Sequence, residues 1–128
     1  MTFNRNNNSV QDYESIITTM NTYIEGLRNG NTALLQSVFH KDAIMYGYWG
    51  QQLIEGAIEN LYISVSKAGT APQIRSHLTV LHKTATTAIV RNEVEANATM
   101  DSFTEYHSLI KIAGEWKIVT KLFHKYDK

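Results

Sequence analysis

The side chains with the most chemical reach are a few titratable groups set among aromatics. His40 sits between Phe39 and Asp42. An imidazole exchanges a proton near neutral pH, so His40 could act as a general acid or base. The competing reading is a surface or capping histidine bonded to backbone near Asp42. Asp42 itself reads as a brace for the turn, since aspartate bonds readily to neighbouring amides. Lys121 and Phe123 share a strand face. An inward Lys121 could bind an acidic ligand or pair with a carboxylate, and it would be costly if buried alone. Its alternative is a stem that crosses the sheet with the head in solvent, and His124 then points outward. Glu105 and His107 also share a face and could pair.

Helical spacing and strand parity nominate a pocket lining of Tyr23, Phe39, His40, Tyr46, Tyr48, Trp49, Leu61, Tyr62, Val90, Asn92, Tyr106, Ser108, Lys121 and Phe123. Aromatics with a few polar groups suit a flat or cyclic, mostly apolar ligand. The bland alternative is ordinary packing, the commoner fate of an aromatic on a helical stripe.

Several chemistries are excluded by pattern. The five histidines make no i, i+4 pair and no His-x-His step, so no metal site is expected. No glycine-rich phosphate loop and no Gly-x-Ser-x-Gly elbow occurs, and no cofactor is implied. Without cysteine there is neither a disulfide framework nor a thiolate nucleophile. Twelve basic and twelve acidic residues cancel, which leaves no basic stripe for nucleic acid or an anionic membrane. The 128 residues suffice for one domain with its own core. Residues 1–9 are polar and asparagine-rich, and are expected to be a mobile tail rather than a signal. No apolar run reaches the roughly 20 residues that cross a bilayer, so a cytoplasmic location is expected.

The elements that must hold these residues follow from periodicity. Val10, Tyr13, Ile17, Met20, Ile24 and Leu27 predict a helix stopped at Asn29-Gly30. Asn31 caps a short second helix through Val38. A strand is expected over Ala43 to Tyr48, with Gly50 permitting the turn after Trp49. A third helix carries Ile54, Ile58, Leu61, Val65 and Ala68, closed by Gly69. After Pro72 the period becomes two, predicting strands at 74–82, 86–96, 103–112 and 116–123. Helices first and an antiparallel sheet afterwards is an α+β pattern.

Alternation sets the strand faces. Ala88, Val90, Asn92, Val94 and Ala96 read as concave, and Ile89, Arg91, Glu93 and Glu95 as outward. Strand 103–112 is mixed on both sides. The lining above takes Tyr106 and Ser108 as inward, with Phe103 and Leu109 outward.

Certain segments carry a family resemblance. Tyr23-Ile24-Glu25-Gly26-Leu27-Arg28-Asn29-Gly30, Phe39-His40-Lys41-Asp42-Ala43, Ile54-Glu55-Gly56 and Gly114-Glu115-Trp116-Lys117-Ile118-Val119 resemble the NTF2-like (SnoaL-like) superfamily. Within it they are most similar to the group labelled lumazine-binding. The resemblance covers Val10 to Lys125. It implies a cone-shaped α+β fold, N-terminal helices on a curved antiparallel sheet enclosing a pocket, and a homodimer through the outer sheet face. It puts His40 at the cavity mouth and the Lys121–Phe123 face inward. Compared with ketosteroid isomerases, Tyr23 matches an oxyanion-binding tyrosine, Gly47 stands where the base belongs, and Ser108 corresponds to the second oxyanion donor.

Three functions are therefore in play. One is a binding protein for an apolar, cyclic molecule. A second is a cofactor-free isomerase, cyclase or dehydratase-like lyase using His40 and Tyr23. The third is a dimerisation module. No residue pattern derives a pteridine site, although stacked aromatics with Asn92 and Ser108 are compatible with one. A pocket with convergent polar groups favours the enzyme, one without them the binder, and a filled core the module.

Overall fold

The structure is a computed structural model that describes residues 9–128. The tail expected at the N-terminus lies, but for Ser9, outside the described residues. Three helices and six strands follow in the order α1 (Ser9–Asn29), α2 (Thr32–Val38), β1 (Phe39–Trp49), β2 (Gln52–Ala57), α3 (Glu59–Ala68), β3 (Arg75–Lys83), β4 (Thr87–Glu95), β5 (Phe103–Ile112) and β6 (Glu115–Lys125). The strands form one curved sheet in the order β2-β1-β6-β5-β4-β3. All neighbours are antiparallel except β1 and β6. The α+β architecture expected from the periodicity is the one observed.

Local chemistry explains the boundaries. Gly30 takes a positive φ of 61° to end α1. The Asn31 side chain then accepts the Leu34 amide at 3.1 Å and starts α2. Residues 52–57 correct the helix expected from Ile54: they pair with β1 as a hairpin strand, and the helix begins only at Glu59. Gly50, at φ 63°, makes the turn between the two strands.

The buried face of α1 is also turned from the expected stripe. Asp12, Ile16, Met20, Tyr23 and Ile24 are buried, while Val10 and Tyr13 are exposed. An ion-pair cluster decides this. Asp12 lies 2.9 Å from the Lys111 Nζ and 3.5 Å from the Lys83 Nζ, which pins the helix start to β5 and β3. Burial alone would raise the Asp12 carboxyl, but the hydrogen bonds and charges of the two lysines outweigh it and hold it below the usual value.

Candidate active site

The concave face is a grid of cross-strand rows. One row runs Asn92 (β4), Glu105 (β5), Phe123 (β6), and the next runs Val90, His107, Lys121. Simple alternation along β6 from buried Trp116 would put Lys121 outward. A register shift between Ser108 and Leu109 on β5, facing Thr120 and Ile118, reverses the parity, so Ile118 and Lys121 both point in.

Glu105 is the centre of this face and is 3% exposed. Its Oε1 accepts from the Tyr23 hydroxyl at 2.9 Å, the Asn92 Nδ2 at 3.2 Å and the His107 Nε2 at 2.9 Å. Its Oε2 lies 3.3 Å from the Lys121 Nζ. Four donors from α1, β4, β5 and β6 thus converge on one carboxylate. Burial is the largest influence on Glu105 and would raise its carboxyl. The Lys121 charge, the His107 hydrogen bond and charge, and the Tyr23 hydrogen bond together overcome it and bring the group down to about 2. Tyr23 moves the other way: burial, then the Glu105 charge, push its phenol well above the usual value, so it stays a neutral donor. Its ring stacks edge-on to His107 at 4.9 Å and to Phe39 at 5.7 Å.

Glu105 and Lys121 also line a cavity of about 410 Å³. The rest of its wall is mainly apolar: Met45, Ile54, Leu61, Val65, Ala71, Val94, Phe103 and Phe123, with Trp49, Asn97 and Thr99 among the more exposed residues. The Lys121 Nζ sits 5.5 Å from the Tyr23 ring centre and 5.6 Å from that of Phe123. Two aromatic faces and a carboxylate therefore fix its head. An apolar chamber with one buried ion pair in its wall can bind an apolar molecule and handle one polar group on it.

The nominated residues do not all fall in one place. Trp49, Leu61, Lys121 and Phe123 line the cavity. Tyr23 and Asn92 belong to the polar cluster on Glu105, and Phe39 and Val90 are core. Tyr62 packs partly buried on that core, its phenol pushed up to about 12 by burial and then by Glu59. Tyr46, Tyr48, Tyr106 and Ser108 face outward, correcting the inward expectation: on β5 it is Phe103, Glu105, His107 and Leu109 that are buried. His40 is half-buried outside the cavity wall, and its Nδ1 accepts the Asp42 amide at 3.0 Å, the local brace weighed as its alternative. Glu105 and His107 do pair, but on the inner face. The signal that could have found them is two ionisable residues alternating with Phe103 and Leu109, a pattern that only makes sense if the charges are mutually satisfied inside. Among the described residues no group of three or more potential metal ligands occurs.

Gly47 is buried in β1 directly beside Phe123, and a Cβ there would meet the Phe123 carbonyl oxygen at 2.5 Å and its ring at 2.6 Å. Glycine lets β1 approach Phe123 this closely, and it offers no base at that point.

This fold and its lined cone define an NTF2-like protein. An NTF2-like protein of unknown function from Methylobacillus flagellatus KT superposes with a TM-score of 0.88 at 33% identity, covering 92% of this chain and 94% of that one. A second, from Shewanella baltica OS155, gives 0.87 at 22% identity over 93% and 97%. A ketosteroid isomerase-like protein from Erwinia carotovora atroseptica SCRI1043 shares the fold with a TM-score of 0.72 at 20% identity over 90% and 96%. Residues 11–124 match the family described as "Putative lumazine-binding", and the chain belongs to that family. It is also 35% identical over 117 residues to a protein named aldolase FrzH from Cladobotryum sp, covering 91% of this chain and 94% of that one.

Proposed function

We propose that this protein is a carbonyl-handling enzyme of the aldol or retro-aldol type, acting on an apolar, cyclic compound held in the cone. The observation that carries the reading is the Glu105–Lys121 pair, buried yet part of the wall of an otherwise apolar cavity. Carbon–carbon bond formation next to a carbonyl needs a group to take a proton from carbon and a cationic or hydrogen-bonding group on the oxygen. Lys121 is the cation and Glu105 the proton acceptor 3.3 Å away, its lowered basicity offset by the acidity that a cation on the carbonyl group confers on the adjacent carbon. The name of the 35% identical relative, an aldolase, agrees with this chemistry. His40 is left out of it, because it stands outside the cavity wall with its Nδ1 accepting the Asp42 amide. Tyr23, Asn92 and His107 hold the carboxylate in position.

Simple ligand binding is the competing reading, and pteridine binding one form of it. It is disfavoured because Ser108 faces outward and Asn92, whose Nδ2 donates to Glu105, is not part of the cavity wall, leaving little there to read a heterocycle's edge. A homodimer belongs to the same proposal. Tyr46, Leu122 and Tyr106 stand in one exposed cross-strand row, with Ile44 and Ile89 in the row beside it. This exposed apolar patch, with Thr120 and Ser108 between the two isoleucines, fits a second copy of itself.

The test is a thermal-shift screen with cyclic ketones, aromatic aldehydes and pteridines, followed by retro-aldol assays on β-hydroxy ketones. Cyclic ketones should raise Tm, and Glu105→Gln should lower turnover by about 10²-fold or more. A wild type that cleaves none of them, or stabilisation by pteridines alone, sinks the enzyme reading.

A further inference from the structure

We infer that the Lys121 amine forms an imine with the carbonyl carbon of a ketone or aldehyde in the cone, so that the catalysis is covalent. The inference rests on the carbonyl reading above. Among the described residues Lys121 is the one amine in the cavity wall held beside an anion. Lys67, on α3, is exposed, and the Thr99 hydroxyl is engaged by Asn97 at 3.1 Å and Asp101 at 2.6 Å. Its head cannot turn freely, clamped as it is against Tyr23, Phe123 and Glu105.

Charge conservation favours the covalent route over a hydrogen bond from a migrating ammonium. Were Lys121 to swing toward a substrate oxygen, Glu105 would remain buried as an anion with its nearest cation withdrawn, which is costly. An iminium keeps the positive charge on the same nitrogen, beside the same carboxylate, while attaching the substrate. The neutral donors on Oε1 need not move.

The steps balance. In the minor neutral form of the pair the Lys121 proton sits on Glu105 Oε2, 3.3 Å away, and the free amine lone pair attacks the carbonyl carbon. The C–N bond forms as the carbonyl π pair moves to oxygen, which receives a proton from the new C–N nitrogen. Glu105 then returns its proton to that hydroxyl, the C–O bond breaks, and water leaves as C=N forms. The sum is carbonyl compound plus ammonium giving iminium plus water, with Glu105 again a carboxylate. Glu105 next takes a proton from the adjacent carbon, giving an enamine. That carbon attacks an aldehyde, whose oxygen takes the proton back, and water hydrolyses the iminium.

The experiment is reductive trapping. The folded protein is incubated with cyclohexanone and, separately, benzaldehyde in the presence of cyanoborohydride, and adducts are mapped by peptide mass spectrometry. The expected result is an adduct on the Lys121 peptide forming about tenfold faster or more than on any other lysine, an effect of positioning. The preference should vanish in urea and persist in Lys125→Arg. Labelling of Lys121 no faster than surface lysines overturns the inference, as does retro-aldol turnover that survives in Lys121→Arg, which keeps a cation beside Glu105. Turnover without trapping leaves the carbonyl reading standing and removes the covalent step. Selective trapping without turnover keeps the imine and removes the aldol assignment.

Discussion

At the scale of single residues the protein turns on how one buried carboxylate is satisfied. Truncating one partner of a buried ion pair leaves the other charged in a low-dielectric site and typically costs about 3–5 kcal/mol. Glu105→Gln is therefore expected to be strongly destabilised in urea unfolding, because it strands Lys121. The double variant Glu105→Gln/Lys121→Met should recover much of that loss, since no charge is left buried, while remaining inactive. Tyr23→Phe deletes one donor and keeps the ring that packs on Phe39 and His107. A loss of about 1–3 kcal/mol is expected from the weakened carboxylate. Equal stability of Glu105→Gln and wild type would show that the pair is not buried in solution.

Among the elements, two contacts position the site. The first fixes α1, which delivers Tyr23. Asp12 holds Lys111 and Lys83 at the far end of that helix. Asp12→Asn removes the anion two lysines share and should cost on the order of 3 kcal/mol. Hydrogen exchange should speed up first along α1, and exchange unchanged there would count against this anchor. The second fixes β1 against β6. Gly47→Ala puts a methyl group onto the Phe123 carbonyl and ring, which form part of the cavity wall. The expected result is about 1–3 kcal/mol of destabilisation by overpacking, with weaker ligand-induced Tm shifts.

The molecule as a whole should carry the electrostatics of Glu105 into its acid stability. Its carboxyl is lowered from 4.5 to about 2 in the fold. A depressed carboxylate stabilises the native state fully above its unfolded value and loses that contribution as pH falls toward the folded one. On the order of 3 kcal/mol should fade between about pH 4.5 and 2, a window in which the groups facing it are Tyr23, Asn92, His107 and Lys121. Denaturant titrations from pH 6 to 2 check this, and Glu105→Gln should flatten the slope. The outward sheet face adds a second expectation at this scale. Leu122→Lys with Tyr106→Glu should give a monomer by sedimentation while leaving cavity ligands bound, if the face pairs with a second copy.

Much of this was legible in the chain alone, and the division has a physical basis. Periodicity is a local property, so the helices, the late strands and the α+β order could be read from residue spacing. The segments around Tyr23, Phe39 and Trp116 were enough to point to an NTF2-like cone. The concave run Ala88, Val90, Asn92, Val94 was legible too, because a strand with small apolar residues on one side and charges on the other declares its faces. What the chain could not declare were features fixed by partners distant in sequence. Ile54 fits a helical stripe by spacing, and only pairing with β1 made it a strand residue. Strand 103–112 has polar and apolar residues on both faces, so its orientation depended on whether donors from α1, β4 and β6 would meet Glu105 inside. They do, and that turns Tyr106 and Ser108 outward. His40 had the right chemistry, but the fold leaves it outside the wall of the Glu105–Lys121 cavity, its Nδ1 taken by a backbone amide two residues away. The sequence determined the kind of fold and supplied the titratable groups; only tertiary structure decided which of them share a dielectric and a distance.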